Sequence, residues 1–425
     1  MQRYESYKAS GIPWVGEIPS HWGIKKNKFL LSERKAIVGK DAPKFKLLSL
    51  TLQGVILRDM ENPKGKFPAE FDTYKQVSPD DLIFCLFDVE ETPRTVGLAK
   101  HHGMITGAYT VTRCNEQVSS AFLYYYYLSL DEGKRLRSLY TGLRNVITRD
   151  TFFSLATPFP PREEQDRIVA FLDQKTAEID AAIAKKERLI ELLNEQLQTI
   201  IDKAVTAGLG GDQKLTECGL DWTPLCPSGW SIRKVSHYFR AQKGREAAKL
   251  TKEYCGKIPG PYPVYSGQTE NNGVMSEISN YEFDAGESGV LFSTTVGAKA
   301  MSVMHLTGRF SLSQNCMIIK PTSKEIIARF FFYQFQRIFF YYRGLIPDHM
   351  QASFRMEDLY RYCFLLPPVT EQIEIANHLD EKSAEINRAI NVTRVQIERL
   401  QELRRALIAE AVTGQINIQK VTKDG

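Results

Sequence analysis

Cysteine is scarce and unpatterned in this sequence. Seven residues, at 85, 114, 218, 226, 255, 316 and 363, show no CxxC pair and no histidine at ligand spacing. A disulfide framework and a structural zinc site are both excluded, and each cysteine reads as a small reduced hydrophobe. Long hydrophobic runs are lacking too, since the most apolar stretches are broken by Arg329, Gln334, Gln336 and Arg337 before they reach spanning length. No membrane partner is expected. The opening MQRYESYKASG has no apolar core of the kind a signal sequence needs, so the sequence predicts a cytosolic, cytoplasmic chain.

Catalytic signatures are missing as well. There is no GxGxxG after a strand, no GxxxxGK[ST], no HExxH and no GxSxG. Nor is there an Asn or Asp followed by two prolines and an aromatic, the tetrapeptide with which amino-methyltransferases grip a base. PFPP at 158–161 has the prolines but nothing to hold a base amine. His101 and His102 are adjacent, so they cannot share one helical face, and no metal site is expected. The sequence predicts a non-catalytic chain that binds no cofactor of its own.

What is present is an ordinary globular balance, 43% hydrophobic and 25% charged over 425 residues, enough for two or three domains. The net charge of +5 is unevenly spread: residues 1–160 carry +5, 161–208 carry −3, 209–367 carry +4 and 368–425 carry −1. Basic globular blocks alternating with acidic segments are compatible with a polyanion partner for the basic ones.

The chain also repeats itself. PPREEQDRIVAFLDQKTAEIDAAI from Pro160 matches PPVTEQIEIANHLDEKSAEINRAI from Pro367 without a gap at an offset of 207. Upstream, GIPWVGEIPSHWGIKK from Gly11 matches GLDWTPLCPSGWSIRK from Gly219, aligning Trp14 with Trp222 and Trp22 with Trp230. Two copies of one unit follow, each a variable block of about 150 residues and a shared segment. The domains are drawn as blocks at 1–160 and 209–367, shared segments at 161–208 and 368–414, and a C-terminal tail at 415–425.

The shared segment reads as a long helix, with Pro161 at its start, acidic residues in its first turn and Gly208 after its end. Alternating steps of four and three give a heptad seam of Leu172, Ile179, Ile183, Ile190, Leu193, Leu197 and Ile200 in the first copy. The second copy gives Leu379, Ile386, Ile390, Ile397, Leu400 and Leu407. Polar breaks at Thr176/Ser383 and Lys186/Thr393 recur in both. A helix of some 43 residues would be roughly 65 Å long, too long to bury its seam in one block, so the two helices are expected to pack on each other. The alternative is that each is a surface helix of its own domain.

Within the blocks, DDLIFCLFDV (81–90), ITGAYTVTRC (105–114), GVLFSTTVG (289–297) and SLSQNCMIIK (311–320) read as strands. AFLYYYYLSL from Ala121 and ARFFFYQFQRIFFYY from Ala328 read as amphipathic helices whose aromatics form core rather than a base-stacking platform. The fold class predicted is α+β, with two mixed sheet-and-helix domains separated by two long helices in an antiparallel coiled coil, related by a pseudo-two-fold repeat.

The motif P-P-x-x-E-Q-x-x-I…L-D-x-K-x-A-E-I, present twice, and the G-[IL]-x-W…P-x-x-W lead-in resemble the DNA specificity subunit of type I restriction-modification systems, over essentially the whole chain. The resemblance implies two target recognition domains, each reading half of a split site in double-stranded DNA, spaced by the helices. It implies docking of two methyltransferase subunits and, where present, two ATP-driven restriction subunits. S-adenosylmethionine, ATP and Mg2+ would belong to those partners.

Phosphate contacts would come from lysine and arginine, and base readout from side chains with fixed donor and acceptor patterns. In the first block the candidates are Lys64 and Lys66 in the ENPKGK turn, Arg94 and Thr95, and Arg144, Asn145 and Arg149. In the second they are Gln268, Asn271 and Asn272, then Thr294, Thr295 and Lys299, then His349 and Gln351. For any one of them, a solvated loop residue is the more common reading. The alternative functions are the recognition subunit of a methylation-only or fused system, a methyltransferase or nuclease with a degenerate motif, and a coiled-coil adaptor without DNA binding.

Overall fold

The computed structural model describes residues 2–60, 70–140, 145–211, 213–268, 270–297, 299–347 and 349–418. Among them lie eight α-helices: α1 (Ser120–Glu132), α2 (Arg149–Ser154), α3 (Arg162–Ala207), α4 (Val235–Tyr238), α5 (Lys252–Gly256), α6 (Ala328–Gly344), α7 (Met356–Arg361) and α8 (Val369–Val412). The chain divides into two compact units, one made of residues 1–186 and 394–425, the other of residues 187–393. The boundaries drawn from sequence at 160, 208, 367 and 414 are therefore not those of the compact units, which cut α3 and α8 near their middles. A helix too long for one core is shared between two.

The first unit is built on an antiparallel four-stranded sheet of β1 (Leu31–Glu33), β2 (Leu82–Phe84), β3 (Val96–Leu98) and β4 (Thr110–Cys114), in the order β1-β4-β2-β3. Helix α1 covers it. Phe122, Leu123, Tyr126 and Tyr127 enter one core with Leu82, Phe84 and Val96, and that core also takes Leu172 and Ile179 from α3 and Leu407, Ile408, Ala411 and Val412 from α8. Tyr125, Tyr126 and Tyr127 of YYYY are therefore interior and Tyr124 half-buried, so the run is core as its spacing predicted. Tyr127 is fully buried, and its hydroxyl donates to Asn27 Oδ1 at 2.8 Å.

The second unit repeats the plan with β5 (Phe239–Gln242), β6 (Val290–Thr294), β7 (Val303–Leu306) and β8 (Cys316–Pro321), in the order β5-β8-β6-β7. Helix α6 supplies Phe330, Phe331, Phe335, Ile338 and Phe339 to its core, beside Ile201, Ala204 and Val205 of α3 and Ile375, Ala376 and Leu379 of α8. A further sheet, Val274–Ile278, Pro259–Tyr265, Arg309–Leu312 and Phe283–Asp284, stands outside this repeat.

Local chemistry sets the helix ends. Before each long helix a strand pairs with the lead-in, Ala156–Phe159 with Gly23–Lys26 and Cys363–Leu366 with Ser231–Lys234. Two prolines follow each strand. Beyond α3 and α8 come Gly208 and Gly414, both at φ +73, a conformation that favours glycine. At Gly414 a Cβ would also lie 2.3 Å from Pro19.

Two expected strands are broken. ITGAYTVTRC divides into Gly103–Ile105 and Thr110–Cys114 around a turn closed by Tyr109 N–H to Thr106 O at 3.2 Å. SLSQNCMIIK divides at Asn315, which adopts φ 62. The described part of the expected tail is not loose: Ile416, Asn417 and Ile418 are buried, and Asn417 N–H donates to Gln2 O at 2.9 Å. Among the described residues no helix is long and apolar enough to cross a membrane.

Candidate nucleic-acid interface

The twice-repeated Glu-Gln pair has a structural job. Gln165, fully buried at the start of α3, accepts from the backbone N–H of Ser119, the residue that caps α1, at 2.7 Å. It donates to Pro160 O at 2.9 Å. Gln372 does the same at the start of α8, accepting from Ile327 N–H before α6 and donating to Pro367 O, both at 2.9 Å. The glutamates anchor the lead-ins: Glu164 accepts from Tyr4 and pairs with His21 at 2.9 Å, while Glu371 accepts from Trp230 Nε1 at 2.9 Å. Each block is thus fixed to its helix through buried polar groups with few alternative partners.

None of the thirteen seam positions is exposed, whereas Leu189, Leu192, Val392, Val395 and Leu403, which lie off the seam, are. Within the first unit the two helix segments run antiparallel. Asp180 meets Arg404 at 2.9 Å, and Lys186 Nζ meets Gln396 Oε1 at 2.7 Å. The pattern missed the flanking residues Ile201, Val205, Ile408 and Val412, which turn towards the blocks. Their signal was an apolar residue one step beyond the heptad register.

The DNA-contact candidates are placed unevenly. Lys64, Lys66 and Arg144 lie outside the described residues. Arg94 and Thr95, expected on a solvent loop, face inward: Asp131, only 1% exposed, accepts from Thr95 N–H at 3.1 Å and pairs with Arg94 at 3.3 Å and Lys134 at 2.8 Å. That network clamps the β2–β3 loop to α1. Thr294 and Thr295 are also buried, at the end of β6, where Thr294 Oγ1 bonds Lys299 O. Arg94 is thus taken up by the Asp131 carboxylate and Thr294 Oγ1 by a backbone carbonyl, while Thr95 and Thr295 are buried.

Gln268 is half-buried and donates to Val274 O at 2.7 Å. Asn271 and Asn272 are exposed on a turn at φ 48 and 51, with Asn271 donating to Val274 O at 3.4 Å. Arg149 opens α2 on the surface, paired with Glu33 at 2.7 Å and lying over the Phe153 ring. Asn145, Lys299, His349 and Gln351 are exposed.

Asn145, Thr295, Lys299, His349 and Gln351 sit at or beside a matching pair of loop junctions. In the first unit the loop after β2 meets the segment before α2 in an antiparallel bridge, Phe87 to Val146. Asp88 N–H donates to Asn145 O at 2.9 Å and Ile147 N–H to Leu86 O at 2.8 Å. In the second, Val296 bridges Ser353, with Gly297 N–H to Ala352 O at 3.1 Å and Phe354 N–H to Thr295 O at 2.7 Å. The second junction borders a recess of about 390 Å3 lined by residues including Arg343, His349, Met350 and Gln351. Beside the first, burial pushes the Cys85 thiol above its ordinary value. Near the Asp131 network burial raises the Glu132 carboxyl, against the pull of Arg404 at 3.5 Å.

Residues 227–398 match the family model of the type I restriction modification DNA specificity domain. The chain is 22% identical to the EcoKI specificity subunit of Escherichia coli K12, over 81% of this chain and 76% of that one. A putative type I specificity subunit of Mycoplasma pneumoniae is 33% identical over 174 residues, 40% of this chain and 55% of that protein. The first matched Mycoplasma relatives are spanned over less than two thirds of their length. The fold is that of a chain solved in a study of complex assembly and conformational transition of the type I R-M system, with TM-score 0.69 at 15% identity, covering 94% of this chain and 99% of that one.

Proposed function

We propose that this protein is the DNA-recognition subunit of a type I restriction-modification complex. Each sheet-and-helix block reads one half of a bipartite, asymmetric site, and the helices dock two methyltransferase subunits and, where the system has them, two restriction subunits. The chain itself performs no chemistry and works in the cytoplasm. S-adenosylmethionine, ATP and Mg2+ serve its partners.

One observation carries this reading. The matched specificity domain at 227–398 has a partner copy upstream with the same sheet order, the same buried glutamine and the same loop junction. A protein with two equivalent but differently decorated blocks is suited to reading two different half-sites.

The test is to express the chain with its methyltransferase subunit and sequence the methylated positions of the host DNA. A two-part motif with a fixed gap is expected; scattered or absent methylation overturns the reading. Binding by that complex should fall linearly in log salt by about 0.9 per phosphate neutralised.

A further inference from the structure

The two loop junctions share a backbone and differ in side chains. Both are closed by a pair of antiparallel hydrogen bonds between 2.7 and 3.1 Å. The first presents Phe87, Asp88, Asn145 and Val146; the corresponding positions of the second carry Val296, Gly297, Ala352 and Ser353. A rigid frame with exchangeable decoration is what sequence readout requires, because a bidentate contact to a base edge tolerates errors of only about 0.5 Å.

Resting on the DNA-recognition reading above, we propose that the second junction is the base-reading site of its block. Gln351 meets an adenine edge in the major groove, and Lys299, three residues beyond the bridging Val296, meets the neighbouring phosphate. Both side chains are exposed and neither is engaged in a hydrogen bond or ion pair among the described residues, whereas Gln268, Thr294 and Arg94 are engaged internally. Gln351 lines the recess beside the bridge, with His349 next to it. An amide that both donates and accepts matches adenine N7 and N6 together, and an ammonium without an acid partner matches a phosphate. Asn272 is exposed as well but stands on a turn with no comparable bridge.

The experiment uses the full chain in complex with its methyltransferase subunit, comparing Q351A, Q351E and K299A with the parent by methylated-site sequencing and by binding to duplex DNA carrying each base at every half-site position. Melting temperatures check that each variant is folded. For Q351A the expected result is a loss of discrimination of about 10- to 100-fold at one position of one half-site, with the other half-site unchanged. Q351E should favour a different base at that position, since a carboxylate accepts but cannot donate. K299A should weaken binding to all sequences alike and reduce the salt slope by about 0.9. Folded Q351A and Q351E complexes that retain the parent motif and discrimination overturn the inference while leaving the recognition function standing. A parent complex with no two-part motif overturns both.

Discussion

The hydroxyl of Tyr125 on α1 donates to Asp173 on α3 at 2.6 Å, and Tyr333 on α6 repeats this with Asp380 on α8 at 2.7 Å. Burial and the carboxylate both raise the Tyr125 phenol, so it remains a donor throughout the working pH range. The copies differ in that Asp380 also has Arg329 as a partner, while Asp173 is met by Tyr125 alone among the described residues. Y125F should therefore destabilise by about 0.5–1.5 kcal/mol, and Y333F by less, because both carboxylates can rehydrate at the surface. Thermal melts of the two variants should show that order.

Gln165 and Gln372 offer a harsher test. Each is fully buried and satisfies a backbone N–H and a backbone carbonyl at once. Replacement by alanine leaves those groups unpaired in the interior, at about 1–3 kcal/mol for each group stranded. Urea denaturation of Q165A and Q372A should show midpoints well below the parent's.

Stability should decline in alkali. Burial pushes the Cys114 and Cys316 thiols from 9.0 up to about 12 and the Tyr127 phenol from 10.0 up to about 12. A raised pKa in the folded state means that this state holds protons the unfolded chain has released, so stability is intact below pH 9 and falls as pH rises towards 12. A urea midpoint constant from pH 8 to 11 would contradict this.

The repeat makes a prediction about a fragment. Ile201, Ala204 and Val205 of α3 lie 207 residues before Ile408, Ala411 and Val412 of α8, and all six are buried against a sheet-and-helix block. A fragment of residues 1–208 lacks the α8 segment that covers Leu172 and Ile179. A second copy can supply its own Ile201, Ala204 and Val205 instead, so the fragment should dimerise. Sedimentation at micromolar concentration should give twice the fragment's mass, and with the methyltransferase subunit the methylated site should become an inverted repeat.

The sequence was most informative where periodicity and repetition speak together. The two long helices, their seam and the aromatic core helices could be read from spacing alone, because a buried stripe has to recur every turn. The loops could not. Arg94 looked like a DNA contact, yet Asp131 lies 37 positions away in sequence and 3.3 Å away in space, and no local pattern announces such a pair. Thr294 and Thr295 sat in a Gly-bounded strand signal and turned out to be interior, although Val296 after them is exposed. Gln165 was visible as a repeated residue, but its hydrogen bonds depend on where α1 begins.

The division of the helices between units bears on the order in which the protein matures during synthesis. Residues 187–393 are contiguous, so that unit has all its parts once residue 393 has left the ribosome. The other needs Leu407, Ile408, Ala411 and Val412 to cover Leu172 and Ile179, and these are made only after the whole of the contiguous unit. Of the two units, the one begun first is thus the one completed second. For about two hundred residues of elongation its helix carries an uncovered apolar stripe, a condition that invites chaperone binding or pairing with a neighbouring nascent chain.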